Sequence, residues 1–282
     1  MSTDTANAAA AAQLGWAERL SAFRRGRRTR FAAAIAIDLV LVYALWEVLT
    51  ATGTLSPRYF PRPQAVVERL GVLLTQMSFW AVVWATVQSW LLGLVIGCVS
   101  GTIAGVLLGS SERAYRFCRV VIELLRPIPP IVILPIVLLV LGVTLQFKLV
   151  LIFQGIFWLM LLQAIYGVRS VDAVMLETAR SYGISGLRRF FTVQLPGALP
   201  FIVTGVRIAA MFALVVSIVA ELVGGAAGLG NDILKAQSAG DDTTMYALIL
   251  FCGVLGVVIT SSFSALERHV LFWHPSQRSK TP

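Results

Sequence analysis

Apolar runs of about twenty residues or more alternate with short charged stretches along almost the whole chain. The runs cover Phe31–Thr50, Phe79–Gly109, about Val120–Leu141, Leu149–Val168, about Phe201–Gly224 and Thr244 to about Leu266. A helix rising ~1.5 Å per residue needs about 20 apolar residues to cross the hydrocarbon core of a bilayer. The pattern therefore predicts an all-α fold, a polytopic membrane protein with about six transmembrane helices. It sets a basic tail over residues 1–30, a membrane domain over 31–268 and a second polar tail over 269–282. A basic lead before an apolar run also describes a signal peptide. Here the first run is too long for that, and no small-residue cleavage site follows, so it reads as an anchor.

Several runs carry residues that an ordinary lipid-facing helix would not. Gly93, Gly97, Gly101, Gly105 and Gly109 recur every fourth position and leave one bare stripe along a helix. Such a stripe lets another helix approach closely, either within the subunit or at a seam between copies that slides during function. The third run contains LLRPIPPIVILP, whose prolines break a regular helix. Irregular backbone at membrane depth is tolerated where it is buried in protein or lines a cavity. Arg126, Pro127, Pro129 and Pro130 are therefore candidates for a pathway across the membrane. Arg207, about 10 Å into the fifth run, and Glu221, near its far end, are two more. The two arginines also have a plainer explanation: Arg207 can snorkel to the nearer surface, and Glu123 and Arg126, spaced i, i+3, can neutralise each other. Asp38 and Glu47 interrupt the first run. Between the runs, Pro57, Pro61 and Pro63 predict an extended segment followed by a short helix over Gln64–Leu74, and Gly142–Lys148 predicts a turn.

Composition sharpens the class. Of 282 residues, 57% are apolar, the mean hydropathy is +0.82 and the net charge is +9. The excess charge points to no nucleic acid, because the Lys and Arg residues cluster beside the apolar runs, as orientation signals do. With six spans, sixteen of them fall on the side of the two termini and five on the other. That asymmetry makes both termini cytoplasmic. Three dispersed cysteines without a CxxC, and two histidines near the C-terminal end, give no disulfide framework, metal site or catalytic triad. The GGAAGLG segment at 224–230 lacks the Lys and hydroxyl of a phosphate loop. The chain reads as a transport component rather than an enzyme, with energy supplied from outside it.

The stretch ETARSYGISGLRRFFTVQLPGALP, Glu177–Pro200, stands apart on the cytoplasmic side. It is too charged to cross lipid, yet it keeps helical apolar spacing through Ala179, Tyr182, Leu187, Phe190 and Phe191. Gly183 and Gly186 interrupt that spacing, which predicts two short amphipathic helices joined by a hinge and ended at Pro196.

Glu177-Thr178-Ala179, then Gly183, then Val193-x-Leu195-Pro196 resembles the EAA loop of binding-protein-dependent ABC importer permeases, which has Glu-Ala-Ala, Gly and Ile-x-Leu-Pro at the same spacing. The resemblance implies a cytoplasmic coupling-helix loop in a bacterial inner-membrane protein. Its implied roles are ATPase coupling by Glu177, Thr178, Ala179, Tyr182, Gly183, Ile184, Leu187, Leu195 and Pro196. Glu177 would hold a nearby Arg, Gly183 permit the bend, Tyr182, Ile184 and Leu187 make the apolar contact, and Pro196 stop the helix. The implied partners are ABC ATPase subunits that bind ATP and Mg themselves, an extracytoplasmic solute-binding protein and a second permease copy. The LRPIPP segment resembles the nitrate, sulfonate and taurine branch of the same family, which implies a small organic or inorganic anion as solute. In that branch a segment similar to Glu221–Gly230 lies near the outer mouth, a candidate gate. An ion-gradient-driven secondary transporter is the alternative, although no inverted repeat accompanies the scattered Asp38, Glu123 and Glu221.

Overall fold

Five glycines on one helix organise the protein. The computed structural model describes residues 34, 37–38, 40–56 and 59–272, which form two units, residues 1–66 and 67–282. The regular elements described are all helical: α1 (Val40–Ala51), α2 (Pro63–Leu74), α3 (Met77–Gly109), α4 (Glu112–Leu125), α5 (Pro130–Leu141) and α6 (Leu145–Arg169). They continue with α7 (Ala173–Ser181), α8 (Gly186–Arg189), α9 (Leu195–Gly224), α10 (Leu229–Ala239) and α11 (Asp242–Val270). Within the first unit, α1 exposes Val40, Leu41, Val42, Leu45 and Val48. Asp38 is exposed and Glu47 half-buried. The start of the first expected span, the basic tail over 1–30 and the tail beyond residue 272 lie outside the described residues.

In the second unit, α6 fills the glycine stripe of α3. A Cβ at Gly93 would stand 2.5 Å from Ile152 Cγ2, and one at Gly97 would stand 2.6 Å from Ile156 Cγ2. At Gly101 and Gly105 the obstacle is backbone: the carbonyl oxygens of Phe157 and Leu161 would lie 2.7 and 2.3 Å away. No side chain fits between these helices, which is how small residues bring two backbones together where lipid offers no hydrophobic drive. The stripe is thus occupied by the same chain. α6 also packs against α9, and Phe147, Leu151, Ile152, Ile156 and Met160 share one buried cluster with Ala209, Ala210, Ala213 and Ala220.

Among the described residues, four continuous helical runs are long and apolar enough to cross a membrane: Met77–Gly109, Leu145–Arg169, Gly186–Gly224 and Asp242–Val270. The third expected span is not one rod. It is α4 and α5, bent by 83° at Arg126–Pro129, and the pair counts as a fifth span only if taken together. The cause is the loss of three backbone donors at Pro127, Pro129 and Pro130. The Ile128 carbonyl at this corner is served instead by the Gln154 side chain of α6, at 2.8 Å.

Pro196 does not end a helix, contrary to expectation. Helix continues from Gly186 to Gly224 because Phe190–Gln194 widens to a π turn, with Leu195 N–H donating to Phe190 O five residues back. A proline has no N–H and its ring strikes the carbonyl four residues earlier; a wider turn there lets the helix pass through. Lys148 is also misplaced by the sequence reading. It belongs to no turn but to the first turns of α6, where it is buried.

Candidate functional site

At one end of the bundle α7 and α8 form an elbow. Asp172 caps α7 by accepting from Val174 N–H at 2.8 Å. At the other end Gly183 N–H donates to Arg180 O (2.9 Å) and Ile184 N–H to Ala179 O (3.1 Å). These two bonds close a Schellman turn, which requires a left-handed residue just past the helix. Gly183 supplies it at φ +71°, with open space around it, so its glycine is required by conformation and not by crowding within the chain. Ala179 is buried and Ile184 half-buried; with Thr178, Tyr182 and Val193 they line a shallow depression. Around it the apolar surface is bare: Tyr182 is 82% exposed and Leu187 78%, and Val174, Met175 and Phe191 are also exposed. Leu195 is half-buried and Pro196 exposed where the elbow joins α9.

Arg180 and Arg188 are exposed and Arg189 half-buried beside this surface, and none makes an ion pair among the described residues. Glu177 is exposed too and, among the described residues, pairs with no Arg, unlike its expected role. A fully solvated pair gains too little to fix two long side chains. The elbow is an exposed apolar knob with a cationic rim, built at one end of two long helices. It has no catalytic group, and its chemistry is that of a contact surface.

The candidates from the apolar runs are dispersed. Pro129 and Pro130 line an almost wholly apolar cleft with Leu134 of α5, Leu151 of α6, and Phe212 and Val216 of α9. Arg126 and Pro127 are exposed at the corner above it. Arg126 makes no ion pair among the described residues, because Glu123 turns to Arg119 instead, at 2.7 Å. Arg207 is tied to Glu267 of α11 at 3.0 Å, and Thr204 donates to the same carboxylate at 2.9 Å.

Glu221 is fully buried. Its Oε1 takes a 2.9 Å bond from Lys148 Nζ; its Oε2 accepts from Thr86 Oγ1 (2.9 Å) and from Gly230 N–H (3.1 Å). Lys148 also donates to the carbonyls of Ala85 (3.0 Å) and Ala227 (2.9 Å), and Leu229 N–H donates to Thr86 Oγ1 (2.9 Å). Neither this pair nor the Gln154–Ile128 bond was foreseen. A lysine bordering one apolar run and a glutamate near the end of another were the available signal. The Gln154 contact left none, because its partner is a main-chain carbonyl.

The family described as binding-protein-dependent transport system inner membrane component matches residues 93–272. An aliphatic sulfonates transport permease of Escherichia coli (strain K12) is 33% identical over 240 residues, covering 85% of this chain and 91% of that one. The taurine transport system permease of the same organism is 30% identical, with 84% and 88% covered. Among solved structures, an inward-facing MetNI methionine ABC transporter superposes with a TM-score of 0.61 at 21% identity, covering 70% of this chain and 99% of that one. At that identity the likeness is one of fold. An ion-gradient transporter is set aside by these relatives, which are ABC permeases. The chain belongs to the binding-protein-dependent transport system inner membrane component family, and is a multi-pass permease subunit of an ABC importer.

Proposed function

We propose that the α7–α8 elbow is where this permease meets its ATPase, and that the solute is a small oxyanion such as a sulfonate, taurine or nitrate. Family membership brings ATPase and solute-binding partners; the finer assignments are ours. The observation that carries the coupling role is the bare apolar surface of Tyr182, Leu187, Val174 and Met175 set around the Gly183 turn. An exposed apolar patch of this kind, rimmed by cations and standing clear of the spans, marks a protein contact. ATP and Mg are held by the ATPase, whose closure pushes the elbow and, through the unbroken helix Gly186–Gly224, the far end of the bundle. The charge asymmetry supports a cytoplasmic elbow and cytoplasmic termini, and a second copy of the chain completes the permease pair.

Gly183→Asp tests the coupling. A side chain at φ +71° is strained whatever the space, so the turn opens while the spans still insert. The expected result is a variant that reaches the membrane, loses the co-purifying ATPase and takes up no solute. Normal ATP-driven uptake by that variant refutes the assignment.

The oxyanion reading rests on the names of the relatives, which transport aliphatic sulfonates and taurine and import nitrate, and on Arg126, which makes no ion pair among the described residues at the α4–α5 corner. Arg126→Gln is expected to weaken uptake of labelled taurine, alkanesulfonate or nitrate. Failure of all three to compete in wild-type vesicles, with the ATPase and binding protein present, rejects this solute class and leaves the coupling role standing.

A further inference from the structure

The opposite end of the bundle is held by the buried Lys148–Glu221 pair. α9 carries Glu221 about 40 Å from Leu195, at ~1.5 Å per residue, so this end lies a full span away from the elbow. Four parts of the chain converge on the pair: α3 through Ala85 and Thr86, α6 through Lys148, α9 through Glu221, and the turn into α10 through Ala227, Leu229 and Gly230. Lys148 spends each of its three N–H bonds, on two carbonyls and one carboxylate. Both carboxylate oxygens of Glu221 are taken as well.

The glycines of the turn are matched to this arrangement. A Cβ at Gly228, which sits at φ +152°, would overlap the Glu221 carboxyl carbon. One at Gly230 would strike the Ile218 carbonyl oxygen, and one at Gly224 would stand 2.5 Å from the Phe147 ring. The backbone wraps the carboxylate this closely because no side chain intervenes.

We infer that Lys148 and Glu221 are positioning residues that seat the α9–α10 turn and α10 on the bundle, so that this end closes as one body with α3, α6 and α9. A buried ion pair adds little net stability over an apolar pair, but removing one partner leaves the other charge unpaired and costly. The pair therefore fixes one placement of α10, since any lifting of the helix strips Ala227, Leu229 and Gly230 from their partners together. α10 is polar along Asn231, Asp232, Lys235, Gln237 and Ser238, so a lifted helix is met by water.

Thiol labelling in native membranes tests this without relying on the coupling or solute assignments. With Cys98, Cys118 and Cys252 replaced by alanine, Ala236→Cys reports on α10, where Ala236 is buried, and Ala210→Cys reports on the buried face of α9. Both are expected to resist a membrane-impermeant maleimide when the pair is intact. Glu221→Gln and Lys148→Met are each expected to raise labelling at Ala236→Cys about tenfold or more, on the scale of a lost charge-assisted hydrogen bond, with Ala210→Cys still protected. The exchanged pair, Lys148→Glu with Glu221→Lys, is expected to stay labelled. It sets a carboxylate against two carbonyls and an ammonium against Gly230 N–H. Protection of Ala236→Cys in both single variants overturns the inference. So does simultaneous exposure of both reporters, which is general unfolding, and so does restored protection by the exchanged pair, which is charge attraction alone.

A second readout separates positioning from stability. In the intact complex, Glu221→Gln is expected to lower the stimulation of ATP hydrolysis by the binding protein. Loss of folded protein lowers stimulated and basal rates alike and leaves their ratio unchanged, and an unchanged ratio removes the pair from the transport cycle.

Discussion

Replacing Gly105 by alanine puts one methyl group where two helix backbones touch. The new Cβ would lie 2.3 Å from Leu161 O and 2.7 Å from Ala164 Cβ. An ordinary carbon–oxygen contact is about 3.3 Å, so the shortfall against Leu161 is about 1 Å. Backbone cannot rotate away, and α3 and α6 have to part by that amount. Overpacking of this kind costs about 1–3 kcal/mol. A gap of up to ~1 Å also forfeits a quarter to a half of the dispersion energy of each pair of facing atoms along the seam. Against this stands alanine's better helix propensity, worth about 1 kcal/mol. The net expectation is destabilisation of about 1–3 kcal/mol.

Gly109 is the internal control. Its Cβ would stand 3.2 Å from Ile165 Cα and from Val168 Cβ, a contact that a slight shift relieves, so Gly109→Ala is expected to lie within about 0.5 kcal/mol of wild type. Reversible unfolding in mixed micelles, followed by helical circular dichroism as SDS is raised, measures both. Gly105→Ala proving no less stable than Gly109→Ala refutes the reasoning. A different failure, in which Gly105→Ala separates two copies of the chain without lowering the unfolding free energy, assigns the stripe to a seam between copies.

Two further outcomes follow from single polar contacts. Asp241 caps α11 by accepting from the Thr244 hydroxyl and backbone N–H, with the Arg69 guanidinium 3.9 Å away, and these hold its carboxyl below the ordinary 3.8. A depressed folded value gives stabilisation that is complete above the unfolded pKa and is lost as pH falls through the folded one. The difference in melting temperature between wild type and Asp241→Asn should therefore shrink as pH is lowered from 7 towards 3, and a difference that grows on acidification contradicts the cap. Gln154→Leu removes the donor to Ile128 O at the α4–α5 corner. Because the buried Gln154 Oε1 makes no hydrogen bond and leaves with it, the cost should be at the low end for an orphaned carbonyl, about 1 kcal/mol; a gain in stability in the same SDS titration counts against the bond.

By itself the sequence determined that the chain is helical and membrane-embedded, because twenty-residue apolar runs are a statement about composition and length. It also determined the elbow. Gly183 is legible there because a left-handed turn past a helix is a local demand that glycine meets alone, and the apolar spacing on either side is local too. Partners across helices were decided by tertiary structure. The bare stripe at Gly93–Gly109 was visible, but that α6 fills it depends on which helix lies nearest. Glu123 was in reach of both Arg126 and Arg119 and took the residue four back. Pro196 signalled an end that a π turn avoided, because burial of α9 against α6 favours an unbroken helix. Lys148 looked like a turn residue and Glu221 like a pathway charge. Each became a buried partner of the other because a polar side chain inside the bundle is tolerated only where hydrogen bonds and an opposite partner replace water, and residues 73 positions apart are brought together by folding alone.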